Sequence, residues 1–140
     1  MILRIFEGLI SRGCEAEFHE IVRQHGMPEL GRTAGCVSAT FARSVGDEGE
    51  TFTVVSIWAD WDSLSAWTGG QPLQPVYYQG RQDLLARSSV RLFEVVESVG
   101  HGRAPAAPNG GAAGADGPAR VDWLVSGVSG RSPLRQIEPP

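Results

Sequence analysis

Three of the four tryptophans and both tyrosines of this 140-residue chain fall within residues 54–78, VVSIWADWDSLSAWTGGQPLQPVYY, and that concentration sets what the chain can build. Rings so closely spaced need either a core or a walled pocket. Trp58 closes the apolar run FTVVSIW, which reads as a strand. Asp60 then offers a helix N-cap ahead of Leu64, Trp67 and Thr68 at helical spacing. Gly69 and Gly70 stop that helix. Pro72 sits where a second helix can begin, with Leu73, Val76, Tyr77, Gly80 and Leu84 along one face. The segment therefore predicts a strand, a short aromatic helix, a glycine break and a second helix.

The flanking sequence supplies the rest of a small domain. Residues 2–10 read as a strand with Ile2, Arg4, Phe6 and Gly8 on one face and Leu3, Ile5, Glu7 and Leu9 on the other. After Gly13, the residues Cys14, Phe18, Ile21, Val22 and His25 mark one face of a helix, which Gly26 and Pro28 are expected to stop near His25. Residues 36–43 and 51–58 read as a hairpin joined by the turn-rich VGDEG, and SVRLFEVVES at residues 89–98 reads as the last strand. The order βαββααβ over residues 1–99 is a ferredoxin-like α+β arrangement, with helices on one face of an antiparallel sheet. The other face is too apolar to meet water across its width, so a second copy is expected to cover it as a homodimer.

From Gly100 the texture changes. About half of the 41 residues from 100 to 140 are Gly, Ala or Pro, and such a stretch buries too little apolar surface to offset its ordering entropy. It reads as a flexible tail, within which VDWLVSGV has the alternation of a strand that docks on an edge, and SPLRQIEPP reads as coil. The net charge of −4 disfavours nucleic acid and anionic membranes as partners. Arg4 and Glu7 interrupt the N-terminal apolar run, so it reads as a strand and not a signal peptide, and no segment approaches a membrane span; a cytoplasmic protein is expected. Cys14 and Cys36 are too few and too far apart for a metal site and read as small apolar residues.

A Trp ending a strand, a capping residue two positions later and a helix starting at once, here Trp58, Ala59 and Asp60, resembles the antibiotic biosynthesis monooxygenase family of dimeric α/β barrels. The resemblance covers residues 1 to about 99, including Gly13 before a helix and Thr33-Ala34-Gly35-Cys36 before a strand. The family includes cofactor-free oxygenases, haem-degrading enzymes and members without known activity. In the cofactor-free, quinone-forming branch the strand-ending Trp borders a pocket where dioxygen meets a phenolic polyketide. The Asn, Tyr and Arg of that branch correspond here to Val54, Leu64 and Tyr78. In the haem-degrading branch the Asn, Trp and His set corresponds to Phe6, Trp67 and Tyr77, so only the Trp is kept.

The resemblance implies a pocket between sheet and helices, bordered by Phe6, Trp58, Trp67, Tyr77 and Tyr78. Trp67 and Tyr77 are the expected catalytic pair, and Phe6, Trp58, Tyr78 and Arg81 the expected substrate contacts. Arg81 follows Tyr77 by four residues and would hold a substrate phenolate. Arg4, Arg87 and Arg91 are other candidate cations, with surface ion pairs the simpler fate. His19 and His25 are candidate bases, and His101 falls in the tail. The expected activity is a monooxygenase that joins dioxygen to a small aromatic substrate without metal or cofactor. A ligand-binding member without chemistry is the alternative, and haem binding through Tyr77 a third.

Overall fold

A computed structural model describes residues 1–100 and 137–140. The expected Gly/Ala/Pro-rich tail and the docking of VDWLVSGV fall on residues 101–136, outside the described residues. Strand β1, Ile2–Ile10, lies between β3, Gly49–Trp58, and β4, Leu85–Glu94, while β2, Cys36–Gly46, borders β3, giving the order β2-β3-β1-β4 with every pair antiparallel. This is the ferredoxin-like α+β fold. The β2–β3 hairpin turns at Asp47-Glu48, between the paired Gly46 and Gly49. The last strand starts four residues earlier than its apolar pattern predicts, because Leu9 and Ile10 continue to pair down to Arg87 and Leu85.

The helical layer differs from expectation in two places. Helix α1, Glu15–Ile21, does not stop at Gly26. It passes through a π turn, Val22–Gly26, into α2, Met27–Arg32. Pro28 is accommodated because the widened turn brings it into the first turn of α2, where a missing N–H leaves no hydrogen bond unmade. Helix α3, Trp61–Trp67, forms as its sequence predicts, with the Asp60 carboxylate accepting from the Ser63 N–H at 2.8 Å. The second helix expected from Pro72 is absent. Residues 71–77 are irregular, followed by two single 3₁₀ turns, Tyr78–Gly80 and Gln82–Leu84. Pro72 and Pro75 both lack an N–H, and Pro75 disfavours the helical conformation at Gln74. Gln79 and Gly80 then adopt φ of 55° and 67°, which ends any helical path.

Strand parity puts Ile2, Arg4, Phe6, Gly8 and Ile10 toward the helices, and each is buried. Two apolar clusters share that layer. One is built on Ile2, Leu30, Trp58, Leu64 and Leu92, the other on Ile10, Phe18, Val22, Phe52 and Leu84, and Phe41 and Val54 touch both. On the opposite face Leu3 and Ile5 of β1 pair with Ile57 and Val55 of β3, and Leu9 follows farther along β1, all half-exposed. Residues 137–140 have no regular structure, yet Ile137 packs against the first cluster and donates its N–H to the Leu92 carbonyl at 2.8 Å. Cys14 and Cys36 are half-buried free thiols. No helix among the described residues is long and apolar enough to cross a membrane.

Candidate active site

A cavity of about 50 Å³ lies where the two clusters meet, walled by aliphatic and aromatic side chains. Phe6 from β1, Trp67 from α3, Tyr77 and Tyr78 from the irregular cover and Arg81 all line it, as does Arg4. The structure thus brings together five of the six residues expected at a site. Trp58 is not among the lining residues. It is fully buried, stacks on Trp67 with centroids 5.1 Å apart, and donates from Nε1 to Ser56 Oγ at 3.0 Å. Its place is behind the cavity wall, where it fixes the indole of Trp67.

Arg4 supplies the site's charge. Its parity on β1 turns it inward, and it is only 3% exposed. Nε donates to the Pro72 carbonyl at 3.2 Å and Nη2 to the Gln74 carbonyl at 2.8 Å. Cζ lies 5.2 Å from the centroid of the Trp67 ring, a cation–π arrangement in a dry setting. Among the described residues no carboxylate pairs with it. Burial pulls the guanidinium down to about 10, with Tyr78 opposing that shift, so Arg4 remains a cation at neutral pH. Burial first, and then the carboxylate of Glu29, pushes the Tyr78 phenol up, with Arg4 opposing, and the phenol therefore stays protonated.

Glu29, on α2, accepts from Trp67 Nε1 at 2.7 Å, which orients the indole from its polar edge. Tyr77 shares a hydrogen bond of 3.0 Å with Ser88 of β4. Tyr78 packs on the π turn: a Cβ on Gly26 would lie 3.0 Å from the Tyr78 ring, so the missing side chain is what lets the phenol approach the helix. Arg81 lines the cavity, but its guanidinium is held by Glu17 and by both oxygens of Asp83 at 2.8 and 2.9 Å. Those carboxylates raise its pKa, Asp83 most, and neutralise the charge expected to serve a phenolate. The cation available inside is Arg4. His19 pairs with Glu50, and His25 accepts from Gln79 Nε2 at 2.8 Å; neither lines the cavity. No group of three or more His, Cys, Asp or Glu among the described residues is placed to hold a metal ion.

Arg4 was legible as an inward residue from strand alternation, whereas its lack of a carboxylate partner depends on tertiary neighbours. Glu29 carried no sequence signal, since it meets Trp67 only because the helix runs on past Gly26.

The antibiotic biosynthesis monooxygenase family model matches residues 1–74. Among solved structures the chain resembles a mutant form of SnoaB, a cofactor-independent oxygenase from Streptomyces nogalater, at 19% identity and a TM-score of 0.54, covering 70% of this chain and 95% of that one. It also resembles the heme-degrader MhuD from Mycobacterium tuberculosis, solved with two hemes in its active site, at 20% identity and a TM-score of 0.51, covering 71% and 100%. Rv0793 from Mycobacterium tuberculosis matches at 18% identity and a TM-score of 0.56, covering 71% and 98%. At these identities the likeness is one of fold. No curated protein matches the chain.

Proposed function

Because the chain belongs to the antibiotic biosynthesis monooxygenase family, we propose that it is a cytoplasmic, homodimeric, cofactor-independent monooxygenase acting on a small aromatic or polyketide-like substrate. The observation that carries this reading is a buried cation, Arg4, with no carboxylate partner among the described residues, in an otherwise apolar aromatic cavity. A fixed positive charge in a dry site stabilises an organic anion far better than water does.

An anthrone-type substrate loses one proton from its ring CH2 to give an enolate, whose oxygen faces Arg4. The enolate passes one electron to dioxygen, and the resulting radical and superoxide combine at that carbon as a peroxide. Protonation, loss of the remaining C–H proton and cleavage of the O–O bond leave a carbonyl and water. One CH2 and one O2 become one C=O and one H2O. Trp67, Tyr77, Tyr78 and Phe6 form the slot for the ring, Trp58 backs Trp67, and Arg81 holds the rim through its ion pairs. The half-exposed face of Leu3, Ile5, Leu9, Val55 and Ile57 supports the dimer.

A ligand-binding protein without chemistry is the second reading, favoured by the small free volume: about 50 Å³ holds a water or two, and a ring enters only when its cover moves. The residues do not fit haem in this arrangement. The cavity is far smaller than a porphyrin, no histidine among the described residues lines it, and the Tyr77 hydroxyl is engaged by Ser88. Oxygen uptake with a panel of anthrones and quinols separates the two readings. The Trp67→Phe, Tyr77→Phe double variant is expected to lose roughly tenfold or more of the rate through misplacement of the ring. No substrate-dependent uptake by the unaltered protein makes the non-catalytic reading the right one.

A further inference from the structure

The cover of the cavity, residues 71–84, is held between two pairs of left-handed residues. Gly69 and Gly70 have φ of 64° and 81° at one end, and Gln79 and Gly80 have 55° and 67° near the other. Such positions are natural pivots for a segment whose regular structure amounts to two single 3₁₀ turns. Its polar ties to the body include Tyr77 to Ser88, Gln79 to His25, and Arg4 to the carbonyls of Pro72 and Gln74. Of these, only the Arg4 tie is both charged and made by a buried side chain.

A guanidinium has five N–H donors in a planar fork. Two of them are used on the cover's carbonyls, and among the described residues Nη1 makes no hydrogen bond. Arg4 is one of the side chains that line the cavity. The Nη1–Nη2 edge is the edge that a planar anion takes in a bidentate pair. An anion there leaves Nε on Pro72 and the second Nη2 hydrogen on Gln74.

We propose that Arg4 is at once the strap that ties the cover to β1 and the receptor that selects ligands bound as aromatic anions, so that occupancy and closure reinforce each other. An anion completes the hydrogen bonding and the charge balance of the guanidinium, and a guanidinium so held keeps its grip on residues 72 and 74. The chemical class is a flat aromatic bearing a phenolate or carboxylate. This deepens the monooxygenase reading and rests on it for the aromatic half of the ligand, while anion selection is a binding property independent of oxygen.

Naphthalene-2-carboxylate and naphthalene-2-carboxamide have nearly the same shape and differ in charge. Titrated calorimetrically under nitrogen, the carboxylate is expected to bind at least about tenfold more tightly, as a charge-assisted bidentate pair should. At equal saturation it should also slow chymotryptic cleavage after Leu73, Tyr77 and Tyr78 more than the carboxamide does. In Arg4→Met the preference should vanish and cleavage of the free protein within the cover should rise several-fold. Arg4→Lys, which keeps the charge without the fork, should retain part of the preference. Equal affinity for the two probes, binding of neither, or a preference unchanged in Arg4→Met overturns the proposal. If Arg4→Met does not fold, the two-probe comparison on the unaltered protein decides by itself. A preference that survives while oxygen uptake fails leaves an anion-binding protein and removes only the oxygenase reading.

Discussion

Removing a guanidinium from water is unfavourable, and among the described residues Arg4 is compensated by two backbone carbonyls and the face of Trp67. The burial shows in its pKa, pulled down to about 10 from the ordinary arginine value. Because the folded value lies below the unfolded one, the penalty is present in full below about 10 and fades as pH rises from there toward the ordinary value. Arg4→Met should therefore melt at or above the unaltered protein while losing the site's charge. A loss of more than about 3 kcal/mol in chemical denaturation, the range for breaking a buried charge pair, would make Arg4 a structural residue instead. Gly26 provides a second test. Its φ of −63° suits alanine, and helix propensity favours the change by up to about 1 kcal/mol, but the new Cβ meets the Tyr78 ring. Gly26→Ala should keep stability within about 1 kcal/mol and weaken binding of the naphthoate probe; unchanged affinity would remove Tyr78 from the site. The aromatic members of the cavity were legible because five rings in 25 residues must meet somewhere. The choice of cation was not. Arg81 stands four residues after Tyr77, but that spacing places it beside the phenol only on a helix, and the left-handed Gln79 and Gly80 between them prevent one.

At the scale of elements, two junctions position the cavity wall. Gly35, between α2 and β2, has φ of 82°, accepts the Ala59 N–H at 2.8 Å, and lies against the start of α3. A Cβ there would overlap both Oγ and Cβ of Ser63. Gly35→Ala should destabilise by roughly 2 kcal/mol or more, from the left-handed backbone and the overlap together. Ser63→Ala should not relieve it, since the Cβ remains, whereas Ser63→Gly should recover part of the loss in thermal melts. The Asp60 cap adds a pH dependence. The Ser63 backbone N–H, its largest influence, holds the carboxyl below its ordinary 3.8, so its contribution is complete above that value and is lost as pH falls through the folded pKa. Asp60→Asn should flatten that part of the acid titration of stability. The cap, α3 and its glycine stop could be read directly from ADWDSLSAWTGG, where local chemistry decides. The π turn could not, because Gly26 and Pro28 form an ordinary stop signal and only packing against the sheet carries the helix through it.

For the whole molecule, the alternation of β1 and the turn between β2 and β3 were enough to predict the antiparallel ferredoxin-like sheet and its two faces. The face opposite the helices presents Leu3, Ile5, Val55 and Ile57 as neighbours, with Leu9 beyond Glu7 along β1. Sedimentation should find a dimer at micromolar concentration, and Ile5→Glu should shift it toward monomer; a stable monomer of the unaltered protein would contradict the barrel. The two uses of the sheet belong together, since one face builds the cavity and the other is free to join a second copy. The proposed role of that cavity is to bring dioxygen to an aromatic anion held by Arg4. Isotope labelling tests this most directly. With anthrone under ¹⁸O₂, the unaltered protein should return anthraquinone carrying one labelled oxygen, with the other in water, at a rate that collapses in Arg4→Met. Product without label, or labelled product formed equally fast by Arg4→Met, would contradict it.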